Sequence, residues 1–227
     1  MGINMEDEEE VRRYLENLNI EYQFSCYKEN NGEGCCLLGE FMQVVREDYR
    51  KASAAFKKGC DQHNFPKACF KYGGDLFRGR GVKKDQAKAL EYQKKACDLG
   101  WKEGCLVAGY QLEDLATDGD ILAATEYFKR ACDLNSDEGC DRASAMYHRG
   151  TGPIPRNLQK CVDYAVRACD LGHAQACANA SFLYKQGIDG VPNIAKSEEY
   201  KKKALEIQMQ ARRNRGFQME QGIGEPE

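Results

Sequence analysis

Ten of the twelve cysteines fall into two interleaved series. Thiols spaced so regularly can close disulfides, hold a metal or exchange electrons. The first series is Cys26, Cys60, Cys97, Cys132 and Cys169, and each member is followed eight or nine residues later by Cys35, Cys69, Cys105, Cys140 or Cys177. Zinc sites and thioredoxin-like redox sites both call for closely spaced ligand pairs, and the chain has no CxxC and no HxxxH. A step of eight or nine residues instead suits two antiparallel helices meeting across a short loop. There the Cα atoms come within the roughly 5 to 6 Å that a disulfide spans. The expected bonds are Cys26–Cys35, Cys60–Cys69, Cys97–Cys105, Cys132–Cys140 and Cys169–Cys177, with Cys26–Cys36 left open as an alternative to the first. No metal site is expected.

Two thiols remain. Cys161 takes a place that is small and apolar in the sister segments, which predicts a buried, reduced side chain. It cannot reach Cys169, because eight residues along a helix are about 12 Å. Cys36 adjoins Cys35 and has a chemical route to thiol exchange with the neighbouring disulfide; its plainer reading is an unpaired thiol on a helix. The histidines His63, His148 and His173 read as polar surface residues. Met146 and His148, a conceivable haem ligand pair, stand two apart and so on different sides of one helix. No Ser, His and Asp set and no phosphate-binding glycine loop can be assembled from local motifs.

The elements that must position these cysteines are legible as a repeat. The phrase ACDLG at residues 96–100 returns as ACDLN at 131–135 and ACDLG at 168–172. Counting back from each anchor cysteine gives Ala89, Tyr92, Ala96, Leu99 and its counterparts Ala124, Tyr127, Ala131, Leu134 and Cys161, Tyr164, Ala168, Leu171. Ser197, Tyr200, Ala204, Ile207 follows the same 3, 4, 3 spacing, that of one buried helix face. The first repeat follows it poorly, with Ala52, Ala55, Gly59 and Gln62, so its second helix is expected to pack differently. The second cysteine of each pair opens another helix whose fifth residue is small: Gly39, Gly73, Gly109, Ser144 and Ser181, which assigns these positions to close contact within a hairpin. Asp7 with Glu10 resembles a capping box that starts an N-terminal helix. The expected architecture is all-α. Residues 1–25 form a helix packed on the first repeat, and five helix-turn-helix repeats follow at about 26–59, 60–96, 97–131, 132–168 and 169–207. A loose tail covers 208–227.

Composition bounds the partners. At 227 residues and a net charge of −3, with basic residues spread along the chain, the electrostatic footprint of a nucleic-acid binder is missing. No apolar run reaches the roughly 18 residues of a membrane-spanning helix. Heavy cysteine usage points to an oxidising compartment. The acidic opening segment has neither a signal peptide's apolar core nor a presequence's Arg-rich character, and Glu6 stands where a myristoylation site needs Ser or Thr. The mitochondrial intermembrane space reconciles these facts; a secreted protein whose signal has been removed is the alternative.

Ala68, Tyr72, Gly73, Gly79, Gly81, Val82, Asp85, Lys88, Ala89, Tyr92, Lys95, Ala96 and Gly100 together resemble the Sel1-like repeat, a relative of the tetratricopeptide repeat. That resemblance runs from about Cys26 to Leu205 and implies an α-solenoid whose first helices line a concave side. On it Lys71, Arg142, Met146, Asn179 and Phe182 are the expected binding surface. The segment DEEEVRRYLENLNIEYQFSCY and the later GHAQACANASFLYKQG further resemble the cytochrome c oxidase assembly factor seven family. This implies import through the disulfide-relay machinery, interhelical disulfides, and a non-enzymatic scaffold role in building respiratory complex IV. Its partners would be complex IV subunits or their assembly factors, and no cofactor is required. Haem binding and thiol-disulfide oxidoreductase activity also come with that resemblance. Tyr22, Ser25 and Cys36 depart from the family pattern at positions on which such activities would rest. A second resemblance, to secreted cysteine-rich Sel1-repeat proteins of Helicobacter, implies an extracellular binding protein.

Overall fold

The computed structural model describes residues 6–188 and 190–220, the backbone alone for 215–220. These residues form eleven α-helices: α1 Glu8–Tyr27, α2 Gly32–Val44, α3 Tyr49–His63, α4 Pro66–Arg78, α5 Gln86–Asp98, α6 Lys102–Leu115, α7 Asp118–Asp133, α8 Asp137–Arg149, α9 Leu158–Asp170, α10 Ala174–Gln186 and α11 Ile194–Glu220. Among the described residues the one extended pairing is an isolated bridge between Ile188 and Val191. The chain divides into two compact units, Met1–Ala108 and Gly109–Glu227, and the division falls within α6.

Local chemistry sets the helix ends. Side chains of Asp7, Asn31, Asp48, Asp85, Thr117, Ser136 and Asn157 each accept from backbone N–H groups in the first turn that follows. His173 does the same through Nδ1, 3.1 Å from the Ala176 nitrogen. Asp7 therefore caps α1 as the sequence suggested. Pro66 opens α4, where its missing N–H costs nothing. Left-handed residues Asn30, Asn64, Gly100, Asn135 and Gly172 recur three or four places after each anchor cysteine and reverse the chain towards the next helix. At each of these turns a carbonyl one place before the anchor accepts a long-range N–H, as in Trp101 N to Ala96 O at 2.9 Å and His173 N to Ala168 O at 3.0 Å.

In the first unit, α1 contributes Leu15, Leu18 and Tyr22 to a core built on Leu38, Phe41, Phe56, Tyr72 and Leu76. In the second, Ile121, Tyr147, Ile154, Val162 and Leu183 form an apolar cluster. Both units use the small residues as predicted. A Cβ on Gly73 would stand 2.7 Å from Gln93 Nε2, and one on Gly109 would stand 2.6 Å from the Phe128 ring. Where serine replaces glycine it bonds across the same contact: Ser144 Oγ donates to the Cys161 carbonyl at 2.8 Å, and Ser181 Oγ meets Ser197 Oγ at 3.2 Å.

Three expectations need correction. Leu99, Leu134 and Leu171 were placed on the buried helix face, yet each is more than a third exposed, because each is the C-cap residue and the helix ends beneath it. The first repeat does not pack differently: Ala52, Ala55 and Gly59 are buried like their counterparts, and Phe56 fills the space beside Gly39. The tail expected to be loose from residue 208 is helical as far as the described residues reach. α11 stays helical through Glu220, sustained by the good helix formers Gln208, Met209, Gln210, Ala211, Arg212 and Arg213; residues 221–227 lie outside the described residues.

One buried carboxyl makes the first unit sensitive to pH. Asp75 on α4 is 5% exposed, and burial raises its pKa from 3.8 to about 6, with Arg80 and Arg78 offsetting only part of that effect. A carboxyl whose folded pKa lies above its unfolded value contributes fully below the unfolded pKa, and that contribution is lost as pH rises through about 6. Asp75→Asn is expected to raise the melting temperature at pH 7.5 by several degrees, a gain on the order of 1–3 kcal/mol. The gain should vanish below pH 4, and scanning calorimetry of both proteins across pH 4–8 measures it.

Candidate functional site

The sulfurs of the two series stand at bonding distance: Cys26–Cys35 at 2.05 Å, Cys60–Cys69 at 2.08 Å, Cys97–Cys105 at 2.02 Å, Cys132–Cys140 at 1.97 Å and Cys169–Cys177 at 2.07 Å. Their Cα separations run from 4.3 to 4.6 Å. Each bond ties the end of one helix to the start of the next: α1 to α2, α3 to α4, α5 to α6, α7 to α8 and α9 to α10. Cys26 is bonded to Cys35 and not to Cys36.

Cys36 and Cys161 are the unpaired thiols, and both are 1% exposed. Burial, reinforced by Glu40, pushes the Cys36 thiol up to about 12, and the cations Lys67 and Lys71 recover only part of this. Burial likewise raises Cys161, against the opposing effect of its hydrogen bond with Ser144. A reactive cysteine needs exposure and a lowered pKa, so the surroundings of both thiols oppose nucleophilic exchange.

The residues expected on a binding surface are distributed unevenly. Lys71 lies in the first unit, where it and Lys67 hold Glu40 at 3.0 and 2.8 Å between α4 and α2. The other four lie in the second. Arg142 is engaged by Glu113 and lies over the Tyr110 ring at 4.9 Å and the Phe128 ring at 5.5 Å, so it serves packing first. Met146 is fully buried and leaves the surface set, since its helix position faces the core. Asn179 and Phe182 do come together, on the wall of a cavity of about 280 Å³ between α8, α9 and α10. That cavity is completed by Asp141, Ser144, Ala145, His148, Cys161 and Leu183. Phe182 is 54% exposed and also borders a second cavity of about 360 Å³ against α11.

Sequence reasoning passed over Asp141 and gave His148 no role beyond the surface. The signal was present: 141, 144, 145 and 148 follow the i, i+3, i+4, i+7 rule and line one side of α8. Met146 is buried while His148 lines the cavity, so this pair does not fit the two sides of one haem iron. Among the described residues no group of three or more His, Cys, Asp or Glu side chains is placed to hold a metal ion.

The sequence matches the Sel1 repeat at residues 66–101, 106–136, 138–173 and 174–206. A solved Sel1 repeat protein from Oxalobacter formigenes superposes with a TM-score of 0.66 at 22% identity, covering 85% of this chain and 84% of that one; it shares the fold. Cytochrome c oxidase assembly factor 7 of Xenopus tropicalis is 33% identical over 164 residues, 69% of this chain and 71% of its own length. The Drosophila melanogaster homolog of that factor is 37% identical over 115 residues, 49% of this chain and 43% of its own. The human protein of that name is 32% identical over 120 residues, 52% of each. The matched segment thus spans about half the length of several of these relatives. With four Sel1 repeats in tandem and a relative matched over more than two thirds of its length, the chain is a Sel1-repeat α-solenoid that belongs to the cytochrome c oxidase assembly factor 7 family.

Proposed function

We propose that this protein is a non-enzymatic assembly factor that holds a component of cytochrome c oxidase while that enzyme is built. The observation that carries this reading is the family match, with Sel1 repeats that include residues 174–206 and so Phe182 on the wall of the cavity. A cavity with apolar walls at Leu183 and Phe182, and hydrogen-bonding groups at Asp141, Ser144 and Asn179, suits one side chain of a bound client. Five disulfides require an oxidising compartment, and relatives named for cytochrome c oxidase assembly point to mitochondria; together these support the intermembrane space, with the disulfide-relay import machinery as a transient partner. No helix of the described residues is long and apolar enough to cross a membrane, so contact with a membrane-embedded client would be made from its water-exposed side.

The reading requires no cofactor. The oxidoreductase alternative would need Cys36 or Cys161 to act as a thiolate, and the burial of both speaks against it. The test is affinity purification of the oxidised protein from mitochondria. Subunits or assembly factors of cytochrome c oxidase are expected to co-purify, and Phe182→Ala should lower their recovery by roughly fivefold or more, as loss of an aromatic anchor does. Capture of no respiratory-chain component by the wild-type protein would remove the basis for the proposal.

A further inference from the structure

The helices that carry the anchor positions, α3, α5, α7, α9 and α11, repeat a charge pattern that α1 breaks. Two residues before each anchor position stand Lys58, Lys95, Arg130, Arg167 and Lys203, and one residue after it stand Asp61, Asp98, Asp133, Asp170 and Glu206. Within each unit the base of one such helix reaches back to the preceding helix of the series, two elements earlier. Arg167 pairs with Asp133 at 2.7 Å, Lys203 pairs with Asp170, and Lys95 Nζ donates to the Cys60 carbonyl at 2.9 Å. In α1 the same two positions are Phe24 and Tyr27. Tyr27 still receives the next rung, with Lys58 Nζ 4.6 Å from its ring centre. Phe24 occupies the side on which a preceding helix would lie, and no helix of the described residues stands there.

Ile20, one turn before Phe24, extends this apolar edge. Ile20 is 65% exposed and Phe24 56%, while Leu15, Leu18 and Tyr22 on the opposite side of α1 pack into the core of the first unit. The equivalents of Ile20 are the acids Glu91, Glu126, Asp163 and Glu199, with Ala54 in α3. Two large apolar residues thus stand in α1 where most helices of the series carry charges. Exposed carboxylates flank them: Glu16 lies one turn before Ile20 and Glu21 on the other side of the stripe, while Arg13 and Lys28 lie beyond its two ends.

We infer that the Ile20–Phe24 edge of α1 docks an amphipathic helix from a partner protein. The helix extends the stack by one element, with its apolar face on Ile20 and Phe24 and its Lys or Arg flanks against Glu16 and Glu21. The occupant is a helix because the bases Lys58, Lys95, Arg167 and Lys203 are each packed against the helix before them in this series, and it is basic because the stripe is flanked by acids. This surface belongs to the first unit and shares no residue with the cavity beside Phe182, so it does not depend on the assembly-factor reading.

The experiment uses the full oxidised chain and two synthetic amphipathic peptides of roughly 18 residues, a length that can form a helix on binding. They share one leucine face and differ only in carrying Lys or Glu along its flanks. Fluorescence anisotropy is expected to show binding of the Lys peptide, weakened by added salt, and little binding of the Glu peptide. Ile20→Ser with Phe24→Ser should weaken the Lys peptide roughly tenfold or more. Glu16→Lys with Glu21→Lys should reverse the preference between the peptides. All four positions are outside the core, and unchanged circular dichroism and melting temperature verify the fold. Equal binding of both peptides, binding of neither, or indifference to both double variants overturns the proposal. So does a concentration-dependent dimer, seen by sedimentation, that Phe24→Ser returns to monomer, since the edge would then be covered by a second copy. If cytochrome c oxidase components are captured unchanged by the Ile20→Ser, Phe24→Ser variant while peptide binding is lost, both readings hold independently.

Discussion

Reduction of the five disulfides is expected to lower the melting temperature by roughly 20 °C or more, because each bond closes a short loop and contributes about 2.6 kcal/mol in the chain-entropy model. The bonds link residues eight or nine apart, and all ten sulfurs are in buried residues. The cores they reinforce are modest. Many of the fully buried positions are alanines, such as Ala52, Ala68, Ala89, Ala124 and Ala168, which bury little apolar area per residue. Five such contributions are not strictly additive, but their sum is comparable with the whole stability of an ordinary domain, roughly 5 to 15 kcal/mol. Calorimetry with and without a phosphine reductant measures the shift. Thiol alkylation followed by mass spectrometry provides the count. The native protein should take up no label, the unfolded but unreduced protein two at Cys36 and Cys161, and the reduced and unfolded protein all twelve. A folded, unreduced protein that labels at ten or more cysteines would contradict the pairing and the stability argument together.

The second large effect comes from a single glycine. Gly81 lies in the loop between α4 and α5 with φ +69°, and a Cβ there would overlap the Tyr49 carbonyl and fall 2.8 Å from the Arg50 nitrogen. The atoms in the way are backbone at the start of α3, which cannot swing aside as a side-chain tip would. Gly81→Ala is therefore expected to cost about 3 kcal/mol or more, the sum of left-handed strain and a displaced helix start. Gly100→Ala is the control: its φ is +86°, but nothing lies within 4 Å of the added methyl. That variant should lose only the conformational part, about 1 kcal/mol. Urea unfolding of the two variants separates backbone strain from steric overlap, and equal losses would show that the loop gives way.

The repeat was legible because the anchor cysteines and the small residues four places after their partners obey one physical demand, close approach of two helices. The same counting gave four of the bonded pairs outright, left Cys26 with Cys35 or Cys36 as its mate, and left Cys161 over; the structure selects Cys35. What the sequence hid depends on depth along a helix. Met146 and His148 lie two residues apart, and periodicity says that they face different ways without saying which one meets the core. The cavity beside Phe182 draws residues from three helices, so no single stretch announces it. The leucines of the ACDLG phrase look interior by composition, but a C-cap lies where the helix stops covering its own side chains. The charge ladder is present in the letters but not legible there, because its partners are 33 to 35 residues apart and form a pattern only with Arg167 placed against Asp133.

The short span of every staple bears on how the chain matures. With each thiol's mate eight or nine residues downstream, oxidation can proceed hairpin by hairpin as the segments become available, without waiting for distant parts of the chain to meet. The most available error is equally local: Cys26 captured by Cys36 in place of Cys35, a slip of one residue that a single exchange between neighbouring sulfurs repairs. A protein wired in this way should regain its native bonds quickly from the fully reduced state and accumulate few scrambled isomers, despite carrying twelve cysteines.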